Sequence, residues 1–271
     1  MTSQTEIKPI GGYIYPDSDG YLVNPTSTSN ISRKWLELTE TLTEAYITAY
    51  SDNLHSIYIR GSVAQGTMIS DVSDLDSFCL VRNQGTEKEN NGLQFLVDQI
   101  AANHTFANGI EAYALTVDGA LANVADKFLI KILALRVWGE DVSSQIDKYQ
   151  VSIDAMNFCL RLDELENRFI EYSKLLRNDK EEKRYCVAIS KLSLRIAFEI
   201  VMIRESKFTR DLFYCWESYA KYYPQHSSFL RDFLNHAVNP IADVESVVGN
   251  WTRVCTIFRE QLENEHHLRD E

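Results

Sequence analysis

Cysteine is scarce and shows no paired pattern: Cys79, Cys159, Cys186, Cys215 and Cys255 are odd in number, widely spaced and set in apolar runs. That excludes a disulfide scaffold, and without a Cys-x-x-Cys or Cys/His spacing there is no zinc site to read, the His266-His267 pair lying in a charged tail expected to be solvated. Long apolar stretches are missing as well. No segment approaches the ~20 residues that a membrane helix needs. The start, Met-Thr-Ser-Gln-Thr-Glu-Ile-Lys, lacks the basic opening and apolar core of an export signal, so a cytoplasmic protein is expected. Basic clusters are absent too: 27 Lys and Arg stand against 39 Asp and Glu, a formal net charge of −12. Such a chain works against long contacts with nucleic-acid phosphates and favours a small acceptor, including a cationic or sugar-like one. Neither an internal repeat nor a low-complexity block is present.

What is present divides by the period of its apolar residues. At 271 residues the chain exceeds a usual single domain, so two packed domains are expected. Residues 1–30, rich in Gly, Pro, Ser, Thr and Asn, read as an irregular arm packing on a catalytic domain at 31–150. Trp35, Leu38, Leu42 and Tyr46 mark an amphipathic helix near 31–51. Strands near 55–60, 74–82 and 109–117 then frame helices near 62–69 and 88–103, which predicts a small mixed sheet backed by helices. From about 122 helical periodicity takes over, through 122–137, 152–177, 181–204, 210–222, 227–237 and 241–266. Short connections predict an antiparallel bundle over 151–271. The fold class expected is therefore α+β, with an all-α bundle following the sheet.

The most informative stretch joins Gly61-Ser62 to Asp74-Leu75-Asp76. A β run delivers the Gly-Ser turn to the start of a short helix, and a second β run opens with the two aspartates. Residues i and i+2 of a strand share a face, so Asp74 and Asp76 aim their carboxylates at one point. Their repulsion is relieved by a divalent cation, and hard oxygen donors favour Mg²⁺, which takes its remaining ligands from waters and phosphates. Gly61, without a Cβ, lets the backbone approach a phosphate, and Ser62 adds a hydroxyl and an N–H there. Ser73 reads either as a further phosphate donor or as a turn serine.

Gly61, Ser62, Asp74 and Asp76, with Leu75 and the apolar run Phe78–Val81, resemble the signature of the DNA polymerase β-like nucleotidyltransferase superfamily. Within it the layout looks most like the bacterial stand-alone enzymes with a C-terminal helical domain, such as aminoglycoside adenylyltransferases. The resemblance implies a site with two Mg²⁺ ions and transfer of a nucleoside monophosphate, AMP from ATP, to a hydroxyl with release of pyrophosphate. It implies a third carboxylate on a neighbouring strand, as metal ligand or as base, and Glu111 is the candidate. It also implies basic groups on the triphosphate. Lys191, Arg195, Lys207 and Arg210 are candidates from the helical half, and Arg60 is placed directly before the turn, where it could instead pair with a local carboxylate.

The acceptor has two candidate settings. Glu140 lies in Trp138-Gly139-Glu140-Asp141, and Tyr214, Trp216 and Glu217 lie in an unusually aromatic stretch. Aromatic faces with carboxylates suit sugars and cations, while a buried aromatic helix face is the plainer alternative. Nucleotidylation of a protein or tRNA, and a non-catalytic nucleotide-binding regulator, are the alternative functions. Arg231 and His236 also carry the Arg-x4-His spacing of HEPN ribonucleases, a spacing that arises by chance.

Overall fold

The structure is a computed structural model that describes residues 5–156 and 158–267. It divides the chain into two compact units: Val23–Tyr149, and the N-terminal segment through Leu22 together with Gln150 onward.

The first unit is built on a four-stranded sheet of β1 (Leu54–Arg60), β2 (Asp74–Val81), β3 (Gly109–Thr116) and β4 (Ala134–Gly139), in the order β3-β2-β1-β4. β1 is antiparallel to β2 and β4, whereas β2 and β3 are parallel, so the sheet is mixed. A parallel neighbour needs a crossover, and helix α3 (Glu87–Asn103) supplies it. Thr86 starts α3 with a capping box, its hydroxyl accepting from Glu89 N–H while the Glu89 carboxylate accepts from Thr86 N–H.

Strand alternation sorts the two faces. Ile57, Ile59, Leu75, Cys79 and Val81 point to one side, where α1 (Arg33–Tyr50) and α3 cover them with Trp35, Leu38, Leu42, Tyr46, Leu93 and Val97. Tyr58, Phe78 and Leu80 point to the other and pack with Ala120, Ile130, Val142 and Ile146. Phe78 is stacked between Tyr58 and Tyr113, at centroid distances of 5.2 and 5.8 Å. Burying one such ring contributes about 2–3 kcal/mol. Asp74 and Asp76 sit on that second face, four and two positions before Phe78, where the core gives way to half-buried strand ends.

The second unit surrounds α7 (Asp179–Glu205), buried along most of its length. Against it pack α8 (Leu212–Tyr222), α9 (Ser227–Val238) and α10 (Val244–His267), with α6 (Leu162–Ser173) tied to α10. Arg259 of α10 makes that tie, bonding Asp163 at 2.7 Å and also Glu166. All five cysteines are buried free thiols. Among the described residues no helix is long and apolar enough to cross a membrane.

Three expectations are corrected. The arm divides: Asn24 and Thr26 donate to the Ala134 carbonyl of the sheet unit, as expected, but the segment through Leu22 packs on the helical unit instead. Ile14 pairs with Phe208, Gly12 N–H donates to Asp211 Oδ2 at 2.8 Å, and the Tyr13 hydroxyl meets Ser218 at 2.9 Å. Second, 122–137 is not one helix: after α4 (Val117–Ala122), α5 (Val124–Phe128) and a π-turn at Leu129–Leu133, the chain becomes β4. Leu135 and Val137 alternate into the core behind β1, so pairing with that strand overrides a run that also fits a helix. Third, helix begins at Leu162 rather than 152. The buried Glu199 carboxylate accepts the N–H groups of Phe158 and Cys159, both at 2.8 Å, and fixes a 3-10 turn there.

Candidate functional site

Strand register assembles the site. Arg60 ends β1 opposite Asp76 of β2, and Asp76 in turn lies beside Glu111 of β3. Asp74, two residues earlier on the same face, is beside Gly109. Three strands thus bring Arg60, Asp74, Asp76 and Glu111 to one corner of one face. Ser77, on the opposite face, donates from its buried hydroxyl to the Glu111 carbonyl at 2.8 Å and locks β2 to β3 at this level. Its other neighbour is the Tyr46 hydroxyl of α1, at 2.9 Å.

Gly61 turns the chain from β1 into α2 (Gly61–Gln65) with φ +73, a conformation that disfavours any Cβ. Space demands glycine as well, since a Cβ there would come 2.7 Å from Asp76 Oδ2. The backbone therefore lies directly against the carboxylate. Ser62 follows in the first turn of α2, half-buried, and its carbonyl accepts from Gly66 and Thr67 N–H. Ser73 acts in the structure as a turn serine: its Oγ accepts from Ile69 N–H at 2.8 Å, so the loop before β2 closes on itself.

The carboxylates are held differently. Asp74 Oδ1 accepts from Asn108 Nδ2 at 3.1 Å. Arg60 reaches across β2, with Nη2 2.6 Å from Glu111 Oε2 and Nη1 3.7 Å from Asp76 Oδ2. Burial opposes the Arg60 charge, yet Asp76 and Glu111 outweigh it and hold the guanidinium pKa above its ordinary value. Tyr113, two residues beyond Glu111 on the same face, hydrogen-bonds Arg60, and burial pushes its phenol upward. Asp126 of α5 lies close enough for its charge to act on Tyr113, and burial raises its own pKa.

Asp74 and Asp76 suit a hard cation: oxygen donors on one strand face, pressed against a backbone turn that also admits phosphate. Mg²⁺ seldom sits in an all-protein cage, so two carboxylates plus phosphate and water oxygens satisfy its needs. The expected set of three metal-binding carboxylates is not assembled. Among the described residues no group of three His, Cys, Asp or Glu converges, and Glu111 is turned to the Arg60 fork.

The other sequence candidates are placed elsewhere. Glu140 follows β4 beside His55, 3.6 Å from its Nε2, at the end of β1 opposite Arg60. It is not brought to the carboxylates. Lys207, in the helical unit, is paired with Glu205 at 2.9 Å and lies 3.5 Å above the Tyr13 ring. Arg210 lies over Phe158, and Lys191 and Arg195 stand one turn apart, half-buried, on α7. Tyr214 meets the Tyr13 ring edge-on at 5.0 Å, and exposed Glu217 accepts from the Tyr13 hydroxyl at 3.3 Å. Trp216 donates from Nε1 to the Ser227 carbonyl and carries Arg231 over its ring at 4.6 Å. The arm thus occupies part of the aromatic stretch expected to receive an acceptor.

Sequence reasoning missed Tyr113, Asn108 and Asp126. The strand period would have placed Tyr113 beside Glu111. Asn108 and Asp126 carry no comparable signal, because their positions depend on how a loop and a short helix fold back.

The architecture is therefore a small mixed sheet carrying a Gly-Ser turn, two aspartates and a neighbouring glutamate, with a helical bundle as the second unit. Among solved structures, the chain shares its fold with the spectinomycin adenyltransferase AAD(9) from Enterococcus faecialis, determined with ATP and spectinomycin. The TM-score is 0.56 at 12% sequence identity, covering 84% of this chain and 99% of that one. No family model and no curated protein sequence matches the chain.

Proposed function

We propose that the protein is a Mg²⁺-dependent cytoplasmic nucleotidyltransferase that moves AMP from ATP to a hydroxyl of a small acceptor and releases pyrophosphate. The observation that carries this reading is the register Arg60–Asp76–Glu111, with Asp74 on the same face and the Gly61-Ser62 turn pressed against Asp76. The shared fold supports it, since the neighbour was solved with ATP and a small acceptor.

Each residue then has a role. Gly61 lets the backbone meet the triphosphate, and the Ser62 hydroxyl and N–H donate to its oxygens. Asp74 and Asp76 would hold Mg²⁺, which when bound would neutralise phosphate charge. Glu111 takes the acceptor's hydroxyl proton as that oxygen attacks the α-phosphorus in line. The bond from the α-phosphorus to the bridging oxygen breaks, and the pair of electrons leaves with pyrophosphate. Holding the reactants in this geometry supplies much of the rate.

The test is incubation with Mg²⁺, α-labelled ATP and a panel of aminoglycosides that includes spectinomycin. Label on a small product is expected. Label on protein or tRNA would replace the acceptor class, and bound but untransferred ATP across small and macromolecular acceptors would make the protein a nucleotide-binding regulator instead.

A further inference from the structure

We infer that Arg60 is a built-in counter-cation of the carboxylate site, which limits how strongly the site draws a divalent cation before nucleotide arrives and holds Glu111 in place for proton transfer. The inference rests on the reading above and assigns that site a residue whose two effects have opposite signs.

The geometry is specific. Adjacent strands lie ~4.8 Å apart, so a side chain on β1 that reaches β3 must cross β2 completely. Arg60 does so, contacting Asp76 on the way and Glu111 at 2.6 Å beyond it. The planar fork makes this possible, since its two terminal nitrogens address different carboxylates at once. Lysine, a single point charge, could serve only one. The arrangement is not simply the most comfortable one for the arginine, because buried Nε is left without a hydrogen-bond partner. Two acids, Asp76 and Glu111, flank this guanidinium, and Tyr113, on which the charge of Asp126 also acts, lies beside it. Side-chain exposures of 26% for Arg60 and 27% for Asp76 keep the contact only partly screened by water.

Two consequences follow. Removing the Arg60 charge while keeping its size takes a competing cation away from Asp76 and Glu111, and the site's hold on a divalent cation tightens. The same change releases Glu111, whose carboxylate then samples orientations useless for taking a proton, and turnover falls. A residue that only braced the strand ends would weaken both properties together.

The probe is Mn²⁺, with free ion read by electron paramagnetic resonance on the full chain without nucleotide. For Arg60→Gln, shown to be folded by circular dichroism, we expect Mn²⁺ affinity to rise about tenfold. Its kcat falls while KM for ATP moves little. Arg60→Lys retains the charge but not the fork, so Mn²⁺ affinity stays near that of the parent protein while kcat still falls. Unchanged or weaker Mn²⁺ binding by Arg60→Gln overturns the inference, as does a lack of Mn²⁺ uptake by both forms. Label transfer from ATP in that last case would leave the transferase reading standing. Tightened Mn²⁺ binding without transfer by the parent protein would remove that reading and keep the counter-cation role.

Discussion

The two units handle charge in opposite ways. In the helical unit charges are paired locally: Glu205, 5% exposed in its side chain, with Lys207 and Lys221, and Arg259 with Asp163 and Glu166. Glu199 is answered by two backbone N–H groups. In the sheet unit Asp76 and Glu111 share one guanidinium, with Asp74 beside them. Paired charge fixes architecture, whereas carboxylates gathered at one corner of a sheet repel one another and favour a cation that arrives from solution.

The contrast is most exposed to failure at Asp76. Asp76→Asn should lower AMP transfer by about 10³-fold, because removing one anionic donor weakens the hold on the reacting charge. The same change should shift unfolding free energy by less than about 1 kcal/mol, since it also relieves like-charge repulsion. A large loss of stability in urea unfolding would make the cluster architectural and erase the contrast. Glu199→Ala is the counterpart in the helical unit. Stranding two buried N–H groups should cost about 3 kcal/mol in the same measurement.

A smaller effect concerns pH. Burial alone would raise the pKa of Glu205, but hydrogen bonds from Lys221 and Lys207 outweigh it and bring the group from 4.5 down to about 2. A depressed carboxylate stabilises the fold above its unfolded pKa and loses that contribution as it protonates. Thermal midpoints should therefore fall between pH 4.5 and about 2, and Glu205→Gln should make this fall shallower. An unchanged slope would mean that the two lysines are surface decoration.

Much of the sheet unit was legible because local signals agreed. The alternation of Ile57, Ile59, Leu75 and Cys79 matches one buried face, and the Gly-Ser turn fixes where β1 stops. Glu111 could be read because it opens the strand after the crossover. β4 could not, since Ile130, Ile132, Leu133, Leu135 and Val137 satisfy a helical period almost as well, and only its partner β1 decides. Arg60 had both readings open, and the cross-strand register chose the carboxylate one. Charges such as Lys207 and Glu140 were least legible. Where a long side chain ends depends on neighbours far away in sequence, Tyr13 for one and His55 for the other.

The attachment of the arm also bears on the order in which the chain can fold during synthesis. Tyr21 bridges to Gln150, so residues 23–149 leave and re-enter the helical unit at neighbouring points, as an insertion does. All four strands are made before the helical unit's main partners exist, so the sheet can form on its own as it emerges. Ile14 is made early but must wait for Phe208, and Gly12 for Asp211. A segment made before all four strands is thus among the last to find its place.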